Sequence, residues 1–142
     1  MAKRKPSRDL ASPAAGSSLS TGRCPCGLEA SYDDCCGRFH SGAAWAPTAE
    51  RLMRSRYSAF VVQDGNYLLL TSHSAQRPNQ VGFDADQRWT RLDVLAVTGG
   101  GVLEPTGTVE FRAHYTRRGV PGAQYEVSRF ARQNGHWVYV GD

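Results

Sequence analysis

The residues best suited to chemistry in this 142-residue chain are its four cysteines, and all four fall in one run, Cys24-Pro25-Cys26-Gly27-Leu28-Glu29-Ala30-Ser31-Tyr32-Asp33-Asp34-Cys35-Cys36. Their spacing is C-x-C-x8-C-C. Thiolates are soft donors, and two close pairs joined by a short loop are how a chain builds a closed tetrahedral metal site. One residue between Cys24 and Cys26 lets a tight turn aim both sulfurs at one centre. Gly27 permits that turn and Pro25 stiffens it. Cys35 and Cys36 are adjacent, which suits a bent backbone such as the start of a helical turn. Disulfides fit poorly, because a bond between sequence neighbours is strained. The basic segment Met1–Arg8 is followed by Ser, Pro, Ala and Gly rather than by the apolar run of a secretory signal. Four clustered free thiols would be open to oxidation. The expectation is therefore zinc on Cys24, Cys26, Cys35 and Cys36. Another soft metal or an iron–sulfur cluster is the alternative, and His40 is the alternative fourth ligand.

This run resembles the SEC-C motif found at the C-terminus of the SecA preprotein-translocating ATPase, which reads C-x-C-x8-C followed by His or Cys. Gly27 and Tyr32 match its accessory positions. Leu28 and Glu29 depart from its usual Ser-Gly, and Ala30, Ser31 and Asp33 stand where lysines are usual. The resemblance implies, as partners, the SecB chaperone, ribosomes or nascent chains.

A second constellation needs a helix to position it. Thr48 reads as an N-cap, and Ala49, Leu52, Met53, Tyr57, Phe60 and Val61 recur at helical period, with an end near Gln63 to Gly65, Gly65 being a good stop. At about 100° per residue, Arg56 falls in the middle of that apolar stripe, whereas Arg51 and Arg54 fall on the solvent side. A charge aimed at the core must be paired or line a wet cavity. One reading is a structural ion pair, with Glu126 as first partner and Glu110 or Asp93 next. The other is a polar pocket lined by Arg56, Tyr57, His114 and Glu126. His73 and His114 are acid–base groups by type, but neither has a nucleophile or paired carboxylate near it in sequence. Trp89, Trp137 and Tyr139 read as core or rim aromatics. Gly99-Gly100-Gly101 lacks the following helix and lysine of a phosphate loop.

The elements that would carry these residues change period after Phe83. A short helix from Asn66 and a polar loop through His73 lead into alternating runs at Trp89–Val97, Thr108–Arg117, Gln124–Gln133 and His136–Val140. Val109, Phe111, Ala113 and Tyr115 share one face of the second run. Arg118 to Gly122 reads as a turn, and Asn134-Gly135 as a two-residue hairpin. Helices followed by an antiparallel meander mean an α+β domain, a cone of curved sheet around the long helix. Pro47 to Phe60, Gly107-Thr108-Val109-Glu110-Phe111 and Ser128-Arg129-Phe130, with Trp137 and Tyr139, resemble the YchJ-like family of uncharacterised bacterial proteins. Thr71-Ser72-His73-Ser74 departs from that family's usual Trp-His-Pro. The resemblance covers residues 22–142 and implies a SEC-C motif followed by a nuclear-transport-factor-2-like (cystatin-like) domain.

Charge divides the chain. Residues 1–23 hold five basic residues against Asp9, whereas residues 24–142 hold 12 basic and 12 acidic. The net charge of +4 thus lies in the tail, which argues against a nucleic-acid-binding fold and for a basic arm on a neutral domain. That arm could touch RNA loosely. No stretch approaches the ~20 apolar residues of a membrane helix. The organisation read from sequence is a disordered basic tail at 1–22, a metal motif at 23–44 and a larger domain at 45–142. The function expected is that of a cytoplasmic, non-enzymatic zinc protein that binds other proteins. A small-molecule binder or enzyme using the polar pocket is the alternative.

Overall fold

The computed structural model describes residues 22–142. The disordered tail expected at 1–22, and the basic arm within it, fall outside the described residues apart from its end. Three helices, α1 (Cys36–His40), α2 (Ala49–Val62) and α3 (Gly65–Leu70), precede four strands, β1 (Gln87–Gly99), β2 (Thr106–Arg117), β3 (Val120–Gln133) and β4 (His136–Gly141). The strands form one antiparallel sheet in the order β1-β2-β3-β4.

The start of α2 is set by Thr48, whose backbone is extended and whose Oγ1 accepts from the Arg51 amide at 3.1 Å. Its end falls within the expected span of Gln63 to Gly65, but glycine does not make it. The helix stops at Gln63, which takes the left-handed conformation at φ 61°. Gly65 is not the stop but the first residue of α3, because the Asp64 side chain accepts from the Tyr67 amide and caps a new helix there.

The hairpins follow from their turn residues. Asn134-Gly135 and Arg118-Gly119 all have positive φ, between 53° and 82°, as two-residue turns of the mirror-image type require. The second turn is tighter than the five-residue turn expected from sequence. Val120, Pro121 and Gly122 are already strand, paired with Arg117, Thr116 and Tyr115. In such a hairpin the pair flanking the turn exchanges hydrogen bonds, so the next pair, Thr116 with Pro121, does not. The missing proline N–H therefore faces away from β2, where β4 does not reach.

Gly99-Gly100-Gly101 serves packing. Gly100 has φ +77°, its carbonyl accepts from the Ala49 amide at 2.9 Å, and a Cβ there would lie 2.7 Å from that of Ala49. Glycine is what lets the first turn of α2 sit against the β1–β2 connection. Irregular pairing at Trp89/Arg91 and Val94/Ala96 in β1, and opposite Arg129/Phe130, bends the sheet around α2. The core it encloses joins Leu52, Met53 and Ala59 of α2 to Leu68, Leu92, Val109, Phe130 and Trp137. Burial of a leucine-sized side chain here contributes about 1.5–3 kcal/mol. The Trp137 indole N–H donates to the Pro47 carbonyl at 3.1 Å and ties the approach to α2 to the sheet. Among the described residues no helix is long and apolar enough to cross a membrane.

Candidate metal centre and helix-lined cavity

The loop before α1 gathers the four cysteines through its own backbone. The Cys24 amide donates to the Ala30 carbonyl at 2.8 Å, Gly27 to Cys24 at 3.2 Å, and both Cys35 and Gly37 donate to the Tyr32 carbonyl. Gly27 makes the turn at φ +97°. Cys35 stands at the N-cap of α1 and Cys36 is its first residue. This is how two adjacent cysteines come to face one point.

All four cysteines are buried, and their sulfurs lie within 4.8 Å of one another. Cys26 Sγ and Cys35 Sγ are 3.7 Å apart. A tetrahedron with ~2.3 Å metal–sulfur bonds has an edge of about 3.8 Å, so the donor set fits a metal held by four thiolates. Hydrogen bonds from the Cys26 and Cys36 thiols hold the Cys24 pKa far below the ordinary thiol value. Hydrogen bonds with Cys24 and then Cys26, together with burial, push Cys36 up. His40 has other work. Its Nε2–H donates to the Ser55 carbonyl at 2.8 Å, which leaves Nδ1 to meet Tyr32 Oη at 2.6 Å. Both ring nitrogens are committed away from the sulfurs, so His40 does not replace a cysteine.

The cysteine loop lies on the face of α2 that the sequence assigned to solvent. Arg54 Nη1 donates to the Cys26 carbonyl at 2.7 Å, and its Nε pairs with Glu50 at 3.0 Å. Arg51 Nη2 lies 3.9 Å from Cys35 Sγ, and its guanidinium covers the Phe39 ring. Ser58 Oγ lies 3.7 Å from Cys24 Sγ. Ser55 Oγ donates to the Leu52 carbonyl and accepts from Tyr67 Oη, both at 2.7 Å. These residues were missed as site residues. Their signal was a second stripe, Arg54, Ser58, Arg51 and Ser55, on the side of the helix opposite the apolar one.

The opposite face of α2 borders a cavity of about 300 Å³. Met53, Arg56, Tyr57 and Phe60 line it at helical spacing. Phe111 with Ala113, and Gln124 with Glu126, Ser128 and Phe130, line it at strand spacing, and Trp89 and Tyr139 complete the wall. Arg56, Tyr57 and Glu126 thus meet in one cavity, and His114 does not. His114 is on the other face of β2, where its Nε2 lies 2.8 Å from Asp93, which also pairs with Arg91. Alternation requires this, since Ala113 faces inward.

Arg56 makes no ion pair among the described residues, contrary to the expected bridge to Glu126, Glu110 or Asp93. Its Nη1 donates to the Leu68 carbonyl at 2.9 Å and to Thr71 Oγ1 at 2.6 Å, and its guanidinium lies 4.8 Å from the Tyr139 ring centre. The end of α3 arrives beside it and supplies neutral acceptors. Desolvation pulls its pKa down to about 10, against the pull of Tyr139, Tyr67 and Glu126. Glu126 Oε2 accepts from Ser128 Oγ at 2.5 Å and from Tyr139 Oη at 2.9 Å. Glu110 is taken by Tyr125. Burial, and then Glu126, push the Tyr139 phenol up to about 12, so it stays a donor.

Comparison with known proteins agrees with this architecture. Residues 48–142 match the family model described as YchJ, middle NTF2-like domain. A UPF0225 protein of Streptomyces avermitilis is 58% identical over 117 residues, spanning 82% of this chain and 81% of that protein. A UPF0225 protein of Streptomyces coelicolor is 53% identical over 122 residues, 86% of this chain and 95% of that one. The solution structure of a SEC-C motif containing protein from Rhodopseudomonas palustris superposes with a TM-score of 0.72 at 32% identity, covering 83% of this chain and 94% of that chain. A crystal structure of a SEC-C motif containing protein from Psychrobacter arcticus gives 0.71 at 29% identity, covering 86% and 82%. With its cysteine knot, its curved four-stranded sheet and these relatives, the chain belongs to the YchJ-like UPF0225 family and carries an NTF2-like domain.

Proposed function

We propose that the chain is a non-enzymatic zinc protein of the cytoplasm that docks onto protein partners. Cys24, Cys26, Cys35 and Cys36 would hold Zn²⁺ as a closed structural site. The observation that carries this reading is the complete, buried set of four sulfurs with both His40 nitrogens engaged elsewhere. A full thiolate shell leaves no position for a substrate, and the ion supplies folding energy rather than reactivity. The knot presents Glu29, Asp33 and Asp34 to solvent, which favours a partner segment with basic residues. Partners suggested by resemblance to SEC-C are SecB, ribosomes or nascent chains, and the basic residues before Arg23 would add a loose RNA contact. The test is metal analysis followed by co-sedimentation with ribosomes and titration with purified SecB, using the native chain and Cys26→Ser. One zinc per chain and metal-dependent binding to one partner are expected. A protein purified without zinc, or binding untouched by Cys26→Ser, overturns the reading.

A second reading is favoured by the cavity. With Arg56, Gln124 and Glu126 among apolar walls it has the make-up of a small-molecule site. Saturable binding of a small molecule that shifts the amide resonances of α2 and β3 supports it.

A further inference from the structure

The polar groups of the cavity carry a more specific inference, which rests on the small-molecule reading. Nη1 of Arg56 has two hydrogens, and the Leu68 carbonyl and Thr71 Oγ1 take them, with Ser72 Oγ a more distant acceptor at 3.4 Å. Thr71 Oγ1 gives its own proton to the Tyr67 carbonyl, so it accepts from the arginine. Nε and Nη2 have no hydrogen-bond partner among the described residues. Those two N–H groups form the fork that matches two oxygens of a planar anion. The fork is held in place, since Nη1 is anchored on the end of α3 and the guanidinium lies over Tyr139. Little side-chain freedom remains to be lost on binding.

Glu126 is half used in the same way. Ser128 and Tyr139 both donate to Oε2, and Oε1 has no partner among the described residues. Met53, Phe60, Trp89, Phe111 and Phe130 supply an apolar and largely aromatic wall. The volume of about 300 Å³ equals about ten water molecules, at the small end of ligand pockets. One cation faces one carboxylate in this lining. A phosphate monoester would bring a charge of about −1.5 to −2 beside Glu126, more than Arg56 alone offsets. A carboxylate brings a single charge in the planar shape the fork prefers.

We propose that this cavity binds a small apolar or aromatic carboxylate bearing a hydroxyl or amino group, with the carboxylate on Nε and Nη2 of Arg56 and the donor on Oε1 of Glu126. The probe is 3-phenyllactate, compared with its uncharged amide and followed by amide resonances in the full chain. The expected result is saturable binding of the acid that shifts α2 and β3, with the amide at least about tenfold weaker. Arg56→Lys keeps the charge but loses the fork, and narrows the gap between acid and amide. Ala113→Met leaves every Arg56 contact in place and puts a side chain into the cavity, so it abolishes binding in a folded protein. This second variant decides the matter should Arg56→Lys not fold. Equal binding of acid and amide overturns the carboxylate assignment and leaves the small-molecule reading standing. No saturable shift by either compound at millimolar concentration overturns both. Unchanged binding in folded Ala113→Met places the site elsewhere and also overturns the inference.

Discussion

The two faces of α2 solve the problem of a polar helix surface in opposite ways. On one side Arg51, Arg54, Ser55 and Ser58 meet the cysteine loop, and their polar atoms are directed at sulfur, carbonyl and hydroxyl groups of that loop and of α3. On the other side Met53, Arg56, Tyr57 and Phe60 line a cavity in which two charged groups retain unused donors and acceptors. On the first face Arg54 clasps the Cys26 carbonyl and Arg51 reaches the Cys35 sulfur, with Arg51 Nε buried and unpaired. Arginine on the second is anchored through one nitrogen and presents the others. The residue type is the same, and the difference lies in what the neighbouring segment brings within reach.

The largest test of this contrast is loss of the knot. On the proposed zinc reading, chelation or Cys35→Ser should melt residues 23–40, because structural zinc sites in small modules carry about 10–16 kcal/mol of binding energy that appears as folding energy. Hydrogen exchange should show the Cys24 and Gly37 amides losing protection while amides of β2 and β3 beside the cavity keep theirs. Equal loss on both sides would mean that the two faces are one cooperative unit. Next in size is Arg56→Met, which deprives the Leu68 carbonyl and Thr71 Oγ1 of a charged donor. A loss of about 1.5–3 kcal/mol in urea unfolding is expected, with metal content unchanged. Arg54→Ala acts on the other face. It removes the bond to the Cys26 carbonyl and should cost about 1 kcal/mol, with faster release of metal to a chelator and no change at the cavity.

The smallest effect belongs to neither face and serves as a control. Hydrogen bonds from Arg91, and then from His114, hold the Asp93 carboxyl below the ordinary carboxylate range. Its pKa is lower folded than unfolded, so its contribution is complete above the unfolded value and is lost as pH falls through the folded one. Asp93→Asn should therefore flatten the acid limb of the stability profile slightly and leave both faces of α2 untouched. An unchanged acid limb would show that this exposed cluster adds nothing to stability.

How much was legible follows from the range of each signal. The N-cap at Thr48 and the Asn134-Gly135 turn are local chemistry, and each stands where its residues put it. Alternation along β2 carried enough to separate His114 from Phe111 and Ala113, since Ala113 and Tyr115 on either side of it were already placed together on one face. Grouping residues by chemical type hid that. Gly65 misled because Asp64 beside it is a stronger start signal than glycine is a stop. The helical wheel marked Arg56 correctly as a charge turned inward. It could not name the acceptors, which come from α3 and the residue following it.

The order of residues alone determined that four sulfurs would be neighbours, that one helix would carry a cation within its apolar stripe, and that a meander of strands would follow. These depend on spacings of a few residues, which backbone geometry turns directly into shape. Only the tertiary structure decided that the cysteine loop covers the second arginine face, that Arg56 is satisfied by neutral oxygens rather than by Glu126, and that a cavity remains between helix and sheet. Such outcomes are settled by packing between segments far apart in the chain, where the position of every other element determines which donor finds which acceptor.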